Sequence, residues 1–390
     1  MYTLIRGGEI YAPKYNGFKD ILLYGDKIAK IGNDLDKLSD LLEISQIIEA
    51  DDQIVIPGLI DCHIHLNGGG GVGYRATRCP DIHLSALTKA GVTTAIGCLG
   101  VDCSTKSLEG LLGKAQMLEV EGVSTYILTG GYHDDRLTIT GNVTNDIVFI
   151  DKIIGTGEIA LSEERAVEIG FEQLKQVASE THLGGLIGEK AGVLVIHLGS
   201  GKKQSSLVYK LIEETDVPLE KFVITHVNRN QKLLSDALEF SKLGLNIDIT
   251  AGLKPGRAAH NAVKPSEAIK WLIDSGVPLE NITMSTDGNA GRAILDDQKN
   301  LKGIYLNEIN FLFEELKDLI NEEGVELEKA LEIITSNPSR IYRLYNKGFI
   351  SEGKDADIVI LSRDLEIDKV IAKGKTLVAK GKPLVKSLFE

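Results

Sequence analysis

Several classes of protein are excluded by what this 390-residue sequence lacks. It contains only four cysteines, which form no CxxC pair and no regular framework, so we expect reduced thiols in a cytoplasmic protein. No apolar run approaches the length that spans a membrane, and the first residues lack the charged and then apolar pattern of a secretory signal. A membrane protein or a secreted disulfide-rich domain is therefore not predicted.

Positive charge is also scarce, because 43 lysines and arginines face 56 aspartates and glutamates and give a formal net charge of −13. A chain with that balance, and without a basic stretch interleaved with aromatic residues, is not expected to bind nucleic acid or an anionic membrane. Hydrophobic residues make up 43% of the sequence and charged residues 25%, as in a soluble globular protein with an ample core.

The two ends of the chain carry the same kind of short β-type segments. Apolar runs punctuated by glycine occur at 2–11 and 19–32, and similar runs return at 348–362 and 367–382. Each pair of runs is typical of a small antiparallel sheet.

The middle of the chain alternates apolar β-type runs with helical stretches, such as those at 163–180 and 307–320. Alternation of strand and helix is the signature of βα units and a parallel sheet, and eight such repeats close into a (β/α)8 barrel. We predict a barrel domain over residues 56–346 and, beside it, one small β-sandwich domain made from residues 1–55 and 347–390. The eight predicted strands begin at Ile56, Thr93, Ser124, Gly155, Gly192, Phe222, Leu245 and Asn281.

Histidines cluster at the ends of these predicted strands. His63 and His65 lie two residues apart on the first strand, so both side chains share one face and can project into the mouth of the barrel. His197 lies near the end of the fifth strand, His226 at the end of the sixth, and Asp287 at the end of the eighth. Barrel enzymes carry their chemistry at the carboxyl ends of the strands, and imidazole suits zinc, so we predict a catalytic metal site there.

An acidic residue on the fourth predicted strand indicates a second metal ion. Glu158 stands among apolar residues, where an unpaired carboxylate is costly. Two cations about 3.5–4 Å apart need an anionic bridge, which Glu158 can supply, while Asp287 contributes a second carboxylate. We therefore predict two divalent ions per chain, with Zn²⁺ as the expected metal, although the same ligands also accept manganese or iron.

Two other classes of function fit this pattern less well. A mononuclear deaminase would keep one metal and would need no bridging residue at position 158. A non-enzymatic protein on the same fold would be expected to have lost metal ligands, and the sequence retains all of those predicted above.

Several motifs resemble those of a known family. PGLIDCHIHL on the first predicted strand, GKDADIVIL near the C-terminus, and the histidine and aspartate positions resemble the amidohydrolase superfamily. The glycines at 68–71, LTGGYH with TITG, THVNRN and STDGN resemble isoaspartyl dipeptidases over nearly the whole chain. The resemblance implies a homo-oligomeric, zinc-dependent enzyme that hydrolyses the isopeptide bond of β-aspartyl dipeptides by means of a metal-bridging hydroxide.

The same resemblance implies how the metal ligands divide. His63, His65 and Asp287 would hold one zinc ion, and His197 and His226 would hold the other. Asp287 would also act as general base and then as general acid.

The resemblance also implies which residues contact the substrate. Tyr132 would donate a hydrogen bond to the developing oxyanion, and Arg165 and Arg229 would pair with substrate carboxylates. Gly70 and Gly71 would line the substrate site.

Four positions depart from the family pattern. Glu158 stands where the best-known members carry a carboxylated lysine, but it provides the same single negative charge. Val72 replaces an acidic residue that receives the substrate's α-amino group, Val101 replaces a threonine, and Gly291 replaces a serine. The metal site is therefore expected to be intact, while part of the substrate site is changed.

The valine at position 72 leaves two interpretations open. Another acidic side chain could receive the amine, with Asp102 and Asp134 the nearest candidates by motif position. Alternatively, the enzyme is a related amidohydrolase whose N-acyl or ureido amino-acid substrate has no free α-amine.

Overall fold

The N-terminal part of the chain forms five strands of a sheet that is separate from the barrel. The structure, a computed structural model, describes residues 2–133, 137–256, 261–296, 298 and 300–390. The first strand pairs antiparallel with the second and parallel with the fourth and fifth. These strands are β1 Tyr2–Tyr11, β2 Tyr15–Tyr24, β3 Lys27–Gly32, β4 Ile44–Glu49 and β5 Ile54–Pro57.

Eight parallel strands, each paired with its neighbours in chain order, form a nearly closed barrel. The last strand returns to the first, where the His65 N–H donates to the Gly288 carbonyl over 2.9 Å. Nearly all residues of these strands are buried, inside the barrel or beneath its helices, which explains their almost continuous apolar runs. The predicted (β/α)8 barrel is thus confirmed. Its strands are β6 Leu59–Ile64, β7 Val92–Gly97, β8 Ser124–Thr129, β9 Ile153–Leu161, β10 Val193–Leu198, β11 Phe222–Thr225, β12 Asn246–Thr250 and β13 Ile282–Ser285.

Helices connect the barrel strands and cover the outside of the barrel. The helix after the sixth strand begins at Gln231 because the Asn230 side chain caps it, accepting the N–H of Leu233 at 2.9 Å. The helices are α1 Leu84–Lys89, α2 Leu108–Glu121, α3 Val143–Phe149, α4 Phe171–Ile187, α5 Ser206–Glu214, α6 Gln231–Lys242, α7 Pro265–Asp274, α8 Phe311–Asn321, α9 Leu327–Ile334 and α10 Ser336–Ile341.

The helix predicted at 163–180 is wrong over its first eight residues. Helix α4 begins only at Phe171, and residues 163–170 form a loop. In that loop the Arg165 guanidinium donates to both carboxylate oxygens of Glu163, at 2.8 and 2.9 Å, and this local pair favours a bend over a continuous helix. Because these residues form a loop, Glu163, Glu164 and Arg165 line the cavity described below.

A hairpin that the sequence interpretation did not identify follows the eighth barrel strand. Strands β14 (Gly291–Leu295) and β15 (Leu301–Leu306) pair antiparallel. The residues at the start of β14 lie at the barrel mouth, so this hairpin contributes to the site described below.

The C-terminal strands complete the terminal sheet. The first of them pairs antiparallel with β5, so both ends of the chain enter one nine-stranded sheet with its own apolar core. The joining of the two ends is confirmed, but the predicted antiparallel pairing is wrong where β1 pairs with β4 and β5, to which it runs parallel. Strand β5 crosses the predicted domain boundary at residue 56, and the exact division into domains stays a prediction. In the described part of the chain, none of the helices combines the length and apolarity needed to cross a membrane. The strands are β16 Ile358–Leu361, β17 Ile367–Ala372, β18 Lys375–Ala379 and β19 Lys382–Pro383.

Candidate active site

The two histidines of the first barrel strand project into the barrel mouth, as their spacing predicts. His63 lies in β6 and His65 directly follows it, and they are only 2% and 3% exposed. His65 Nε2 lies 3.0 Å from Asp287 Oδ1, and His63 Nε2 lies 3.5 Å from Glu158 Oε2. Strand β6 therefore brings both imidazoles to the two carboxylates that the sequence singles out.

Glu158 lies at the centre of the imidazole cluster. It is part of β9, is 2% exposed, and its Oε2 lies 2.8 Å from His197 Nδ1 and 3.3 Å from His226 Nε2. Together with the 3.5 Å contact to His63, these distances place one carboxylate among imidazoles from three different strands or strand ends. This is the position expected of a residue shared between two cations.

Hydrogen bonds fix the orientation of His226 and Asp287. His226 Nδ1 lies 2.7 Å from Thr250 Oγ1, which turns Nε2 towards Glu158. The Asn307 side-chain amide donates to Asp287 Oδ2 at 3.0 Å, while Oδ1 faces His65. Both groups are thus held by partners outside the cluster.

Both central carboxylates are anionic in this environment. Burial alone would raise the pKa of Glu158, but the charges of His63 and His197 and the hydrogen bonds from His197 and His226 hold it well below its usual value. The pKa of Asp287 is likewise lowered, because the hydrogen bond to His65 and the surrounding imidazoles outweigh burial. A site with two retained negative charges is suited to bind cations.

The cluster fits a divalent metal ion. Among the described residues, His63 Nε2 is a buried nitrogen without a hydrogen-bond partner, and a cation would supply one. Nitrogen and carboxylate donors of this kind suit zinc. In three overlapping groups the potential ligand atoms lie within 4.8 Å of one another: His63, His226 and Asp287; Glu158, His197 and His226; and His63, His65, Cys98 and Glu158.

A cavity of about 490 Å³ opens above the cluster. Gly70, Val72, Val101 and Gly291, which the family resemblance assigns to the substrate site, line it. Gly71 is not among the described lining residues, and its N–H donates to Thr77 Oγ1 at 2.9 Å.

Gly291 is held at this position by a close backbone approach. A β-carbon there would lie 2.5 Å from the Thr77 carbonyl oxygen and 2.6 Å from the Cys79 sulfur. The serine expected from the family pattern would therefore clash with the segment that packs against it.

Tyr132 also lines the cavity and contacts the cluster. Its hydroxyl lies 2.9 Å from His197 Nε2 and accepts a hydrogen bond from Arg165 Nη2 at 3.1 Å. Burial raises the pKa of Tyr132 well above its ordinary value, so the phenol stays protonated and can donate a hydrogen bond.

Three arginines, Arg165, Arg229 and Arg292, line the cavity beside Glu163 and Glu164, and we call them the arginine wall. Arg229 is 7% exposed, and its Nε is buried without a hydrogen-bond partner among the described residues. Burial and the neighbouring Arg292 lower the pKa of Arg229, a sign that it lacks a full anionic partner. Arg292 was not identified from sequence, because no motif marks it.

The acidic residues that line the cavity are not the two that the sequence analysis named as candidates. Asp102 is absent from the described cavity lining, because it accepts from Arg78 Nε at 2.7 Å and from Thr105. Asp134 lies outside the described residues. Glu163 and Glu164, both assigned from sequence to a helix, line the cavity instead.

Comparison with known proteins agrees with this geometry. The model of the amidohydrolase family matches residues 54–377. A beta-aspartyl dipeptidase from Fervidobacterium islandicum AW-1, solved in complex with a beta-Asp-Leu dipeptide, is similar over 98% of both chains, with 36% identity and a TM-score of 0.89. A dihydropyrimidinase from Brevibacillus agri, at 15% identity over 99% of this chain and 97% of its own, has a TM-score of 0.70 and shows the fold alone. A dihydroorotase of Streptococcus pneumoniae is 21% identical, covering 94% of this chain and 91% of its own.

The chain belongs to the amidohydrolase family. Solved structures that resemble it along its length at 35–36% identity are beta-aspartyl dipeptidases, so the resemblance drawn from sequence is confirmed. Membership identifies the chain as a metal-dependent hydrolase of amide or peptide bonds.

Proposed function

We propose that this chain hydrolyses the isopeptide bond of β-aspartyl dipeptides, using two zinc ions. The observation that carries the proposal is the arginine wall beside the imidazole and carboxylate cluster, in one cavity of about 490 Å³. A solved relative with 36% identity was crystallised with a beta-Asp-Leu dipeptide, which supports the same substrate class here.

The arginine wall matches the charge of such a substrate. A β-aspartyl dipeptide carries two carboxylates, the α-carboxylate of its aspartyl residue and its C-terminal carboxylate. The buried Arg229 Nε is available for one of them, since it has no partner among the described residues. A planar guanidinium binds a carboxylate in a bidentate manner, which fixes the scissile bond relative to the cluster.

The residues that would hold the two cations follow from the cluster. We assign His63, His65 and Asp287 to one cation and His197 and His226 to the other, with Glu158 shared, because its Oε2 lies within 3.5 Å of imidazoles from both sets. When bound, the cations would supply polarisation of the scissile carbonyl and a lowered pKa for a water molecule.

Besides the cations, two side chains of the protein, Asp287 and Tyr132, would take part directly in the reaction. The pKa of Asp287 lies below its usual value, so the side chain is a carboxylate that can take a proton from the attacking water. The same carboxyl group can then return the proton to the leaving amine. The Tyr132 hydroxyl, kept protonated by burial, can donate a hydrogen bond to the developing oxyanion.

Val72 favours a second candidate function, hydrolysis of substrates that lack a free α-amine. This side chain lines the cavity and offers no charge to a substrate ammonium group, and Asp102 is occupied by Arg78 and Thr105. Hydrolysis of N-acyl or ureido amino acids, which lack a free α-amine, would need no such partner.

Hydrolysis rates for a panel of β-aspartyl dipeptides and their N-acylated counterparts distinguish the two candidates. We expect the highest kcat/KM for free β-aspartyl dipeptides. Preference for the N-acylated compounds would favour the second function, and hydrolysis of neither set would reject both substrate classes.

A further inference from the structure

A buried cysteine adds a sulfur atom to the imidazole cluster. Cys98 directly follows β7 and is 1% exposed. Its Sγ lies 3.9 Å from His65 Nδ1, the ring nitrogen that also lies 3.2 Å from the Cys98 carbonyl oxygen. Potential ligand atoms of Cys98, His63, His65 and Glu158 all lie within 4.8 Å of one another. The sulfur therefore faces the same small space as three residues assigned above to the cations.

The ordinary role of a buried cysteine is apolar packing, and Cys98 does belong to an apolar cluster of the barrel that also contains Ile60 and Ile96. The other side faces His63, whose buried Nε2 lacks a hydrogen-bond partner among the described residues. An unpartnered imidazole nitrogen next to a thiol and a carboxylate is the environment of a metal ion rather than of an apolar core.

We infer that Cys98 is a further protein ligand, binding as a thiolate to the cation held by His63 and His65. This inference rests on the proposed metal site but not on the identity of the substrate. On binding, the S–H bond breaks, its proton passes to solvent, and a sulfur lone pair forms the bond to the cation. The cation keeps its charge and oxidation state.

A thiolate ligand changes which metal the site prefers. Soft sulfur donors favour zinc over magnesium or manganese, whereas a site of imidazole and carboxylate alone accepts a wider range. Cys98 would thus make the site selective for zinc.

X-ray absorption spectroscopy of the zinc-loaded protein in a thiol-free buffer tests the inference. The wild type should show a sulfur neighbour at about 2.3 Å from zinc, the distance of a zinc–thiolate bond. Cys98→Ser should lose that neighbour. Cys62→Ser is the matched control, because Cys62 is also buried in the barrel but directs its sulfur towards Asp248 at 3.6 Å, and it should keep the signal.

Chelator competition gives a second measurement. Zinc affinity should fall by about 10²-fold in Cys98→Ser, since even partners outside the ligand set change metal affinity 10- to 100-fold. Bound zinc without a sulfur neighbour in the wild type overturns this inference while leaving the proposed metal site intact. A sulfur signal that persists in Cys98→Ser also overturns it, and a protein that binds no zinc overturns both proposals. The wild-type spectrum decides the matter even if the variant fails to fold.

Discussion

Two pairs of buried carboxylates in the same barrel differ in their charge state. The outer pair, Glu158 and Asp287, lies at the barrel mouth, and the inner pair, Asp61 and Asp248, lies deeper among the strands. Their exposure is almost the same, at 2% and 4% for the outer pair and 0% and 1% for the inner pair. Burial alone therefore cannot explain a difference between them.

The partners of the two pairs explain the difference. Asp61 accepts from the hydroxyl and N–H of Thr286 and the N–H of His63, yet burial outweighs these bonds and raises its pKa to about 7. The pKa of Asp248 is raised as well, with burial as the main cause. Asp248 accepts from the hydroxyls of Thr225, Thr283 and Ser285.

The outer pair meets imidazoles instead of hydroxyls, and its pKa values are lowered despite equal burial. A neighbour that can carry positive charge stabilises a carboxylate more than neutral donors do. The outer pair is therefore suited to bind cations, whereas the inner pair is part of a hydrogen-bond network within the barrel.

Replacing one member of each pair should separate these roles most strongly. Asp287→Asn keeps the shape of the side chain but removes the proton acceptor, so kcat should fall by about 10²-fold or more. Asp248→Asn is the matched buried control and should retain turnover within a few-fold. Steady-state kinetics on a β-aspartyl dipeptide, with metal content verified, makes the comparison. Near-normal turnover in Asp287→Asn would show that the base lies elsewhere.

Glu158→Gln should change the number of bound cations. An amide has no charge to share between two cations, so the content should drop from about two ions per chain to about one or fewer. Elemental analysis of the purified protein measures this, with Asp248→Asn again as the control. One ion per active chain in both the wild type and Glu158→Gln would contradict a shared Glu158.

The difference between the pairs could be predicted from sequence only in part. Glu158 and the HxH motif were identified because polar residues interrupt apolar runs. The eight barrel strands were predicted from the apolar runs themselves and their alternation with helical stretches. The charge state of each carboxylate depends on side chains from other strands, which no local pattern reveals.

The misassigned elements have the same physical origin. Residues 163–180 have helical spacing throughout, but the pairing of Glu163 with Arg165 bends the first eight residues over the cavity. Arg292 and Cys98 carry no motif of their own. Arg292 lines the cavity because the hairpin lies at the barrel mouth, and Cys98 lies near the cluster because β7 ends beside His65.

Titration of Asp61, a member of the inner pair, should make the free energy of unfolding depend on pH. Asp61 has a folded pKa of about 7, above the value near 3.9 expected when unfolded, so the folded state binds the proton more tightly. Its stabilising contribution is full below about pH 4 and is lost as the pH rises through 7. Between pH 5.5 and 7.5 the wild type should therefore lose on the order of 2 kcal/mol relative to Asp61→Asn, which stays neutral. Denaturant unfolding at the two pH values measures this difference, and equal pH dependence in the two proteins would assign Asp61 an ordinary pKa.

A carboxylate placed at the exposed edge of the cavity should have the smallest effect. The Val72 side chain lines the cavity and is 40% exposed, so the charge introduced by Val72→Glu would be screened by water. An exposed ion pair with the substrate ammonium is worth about 0.2–1 kcal/mol, so kcat/KM for β-aspartyl dipeptides should rise by a factor between about 1.4 and 5. Val72→Gln is the control, since it has the same size without the charge and should give no such rise. If the glutamate instead leaves dipeptide hydrolysis unchanged and depresses hydrolysis of N-acyl amino acids, the wild-type valine is part of a site for substrates without a free amine. If Val72→Glu raises kcat/KM for the free dipeptides alone, the wild-type enzyme is a dipeptidase that lacks this one contact with the substrate ammonium group.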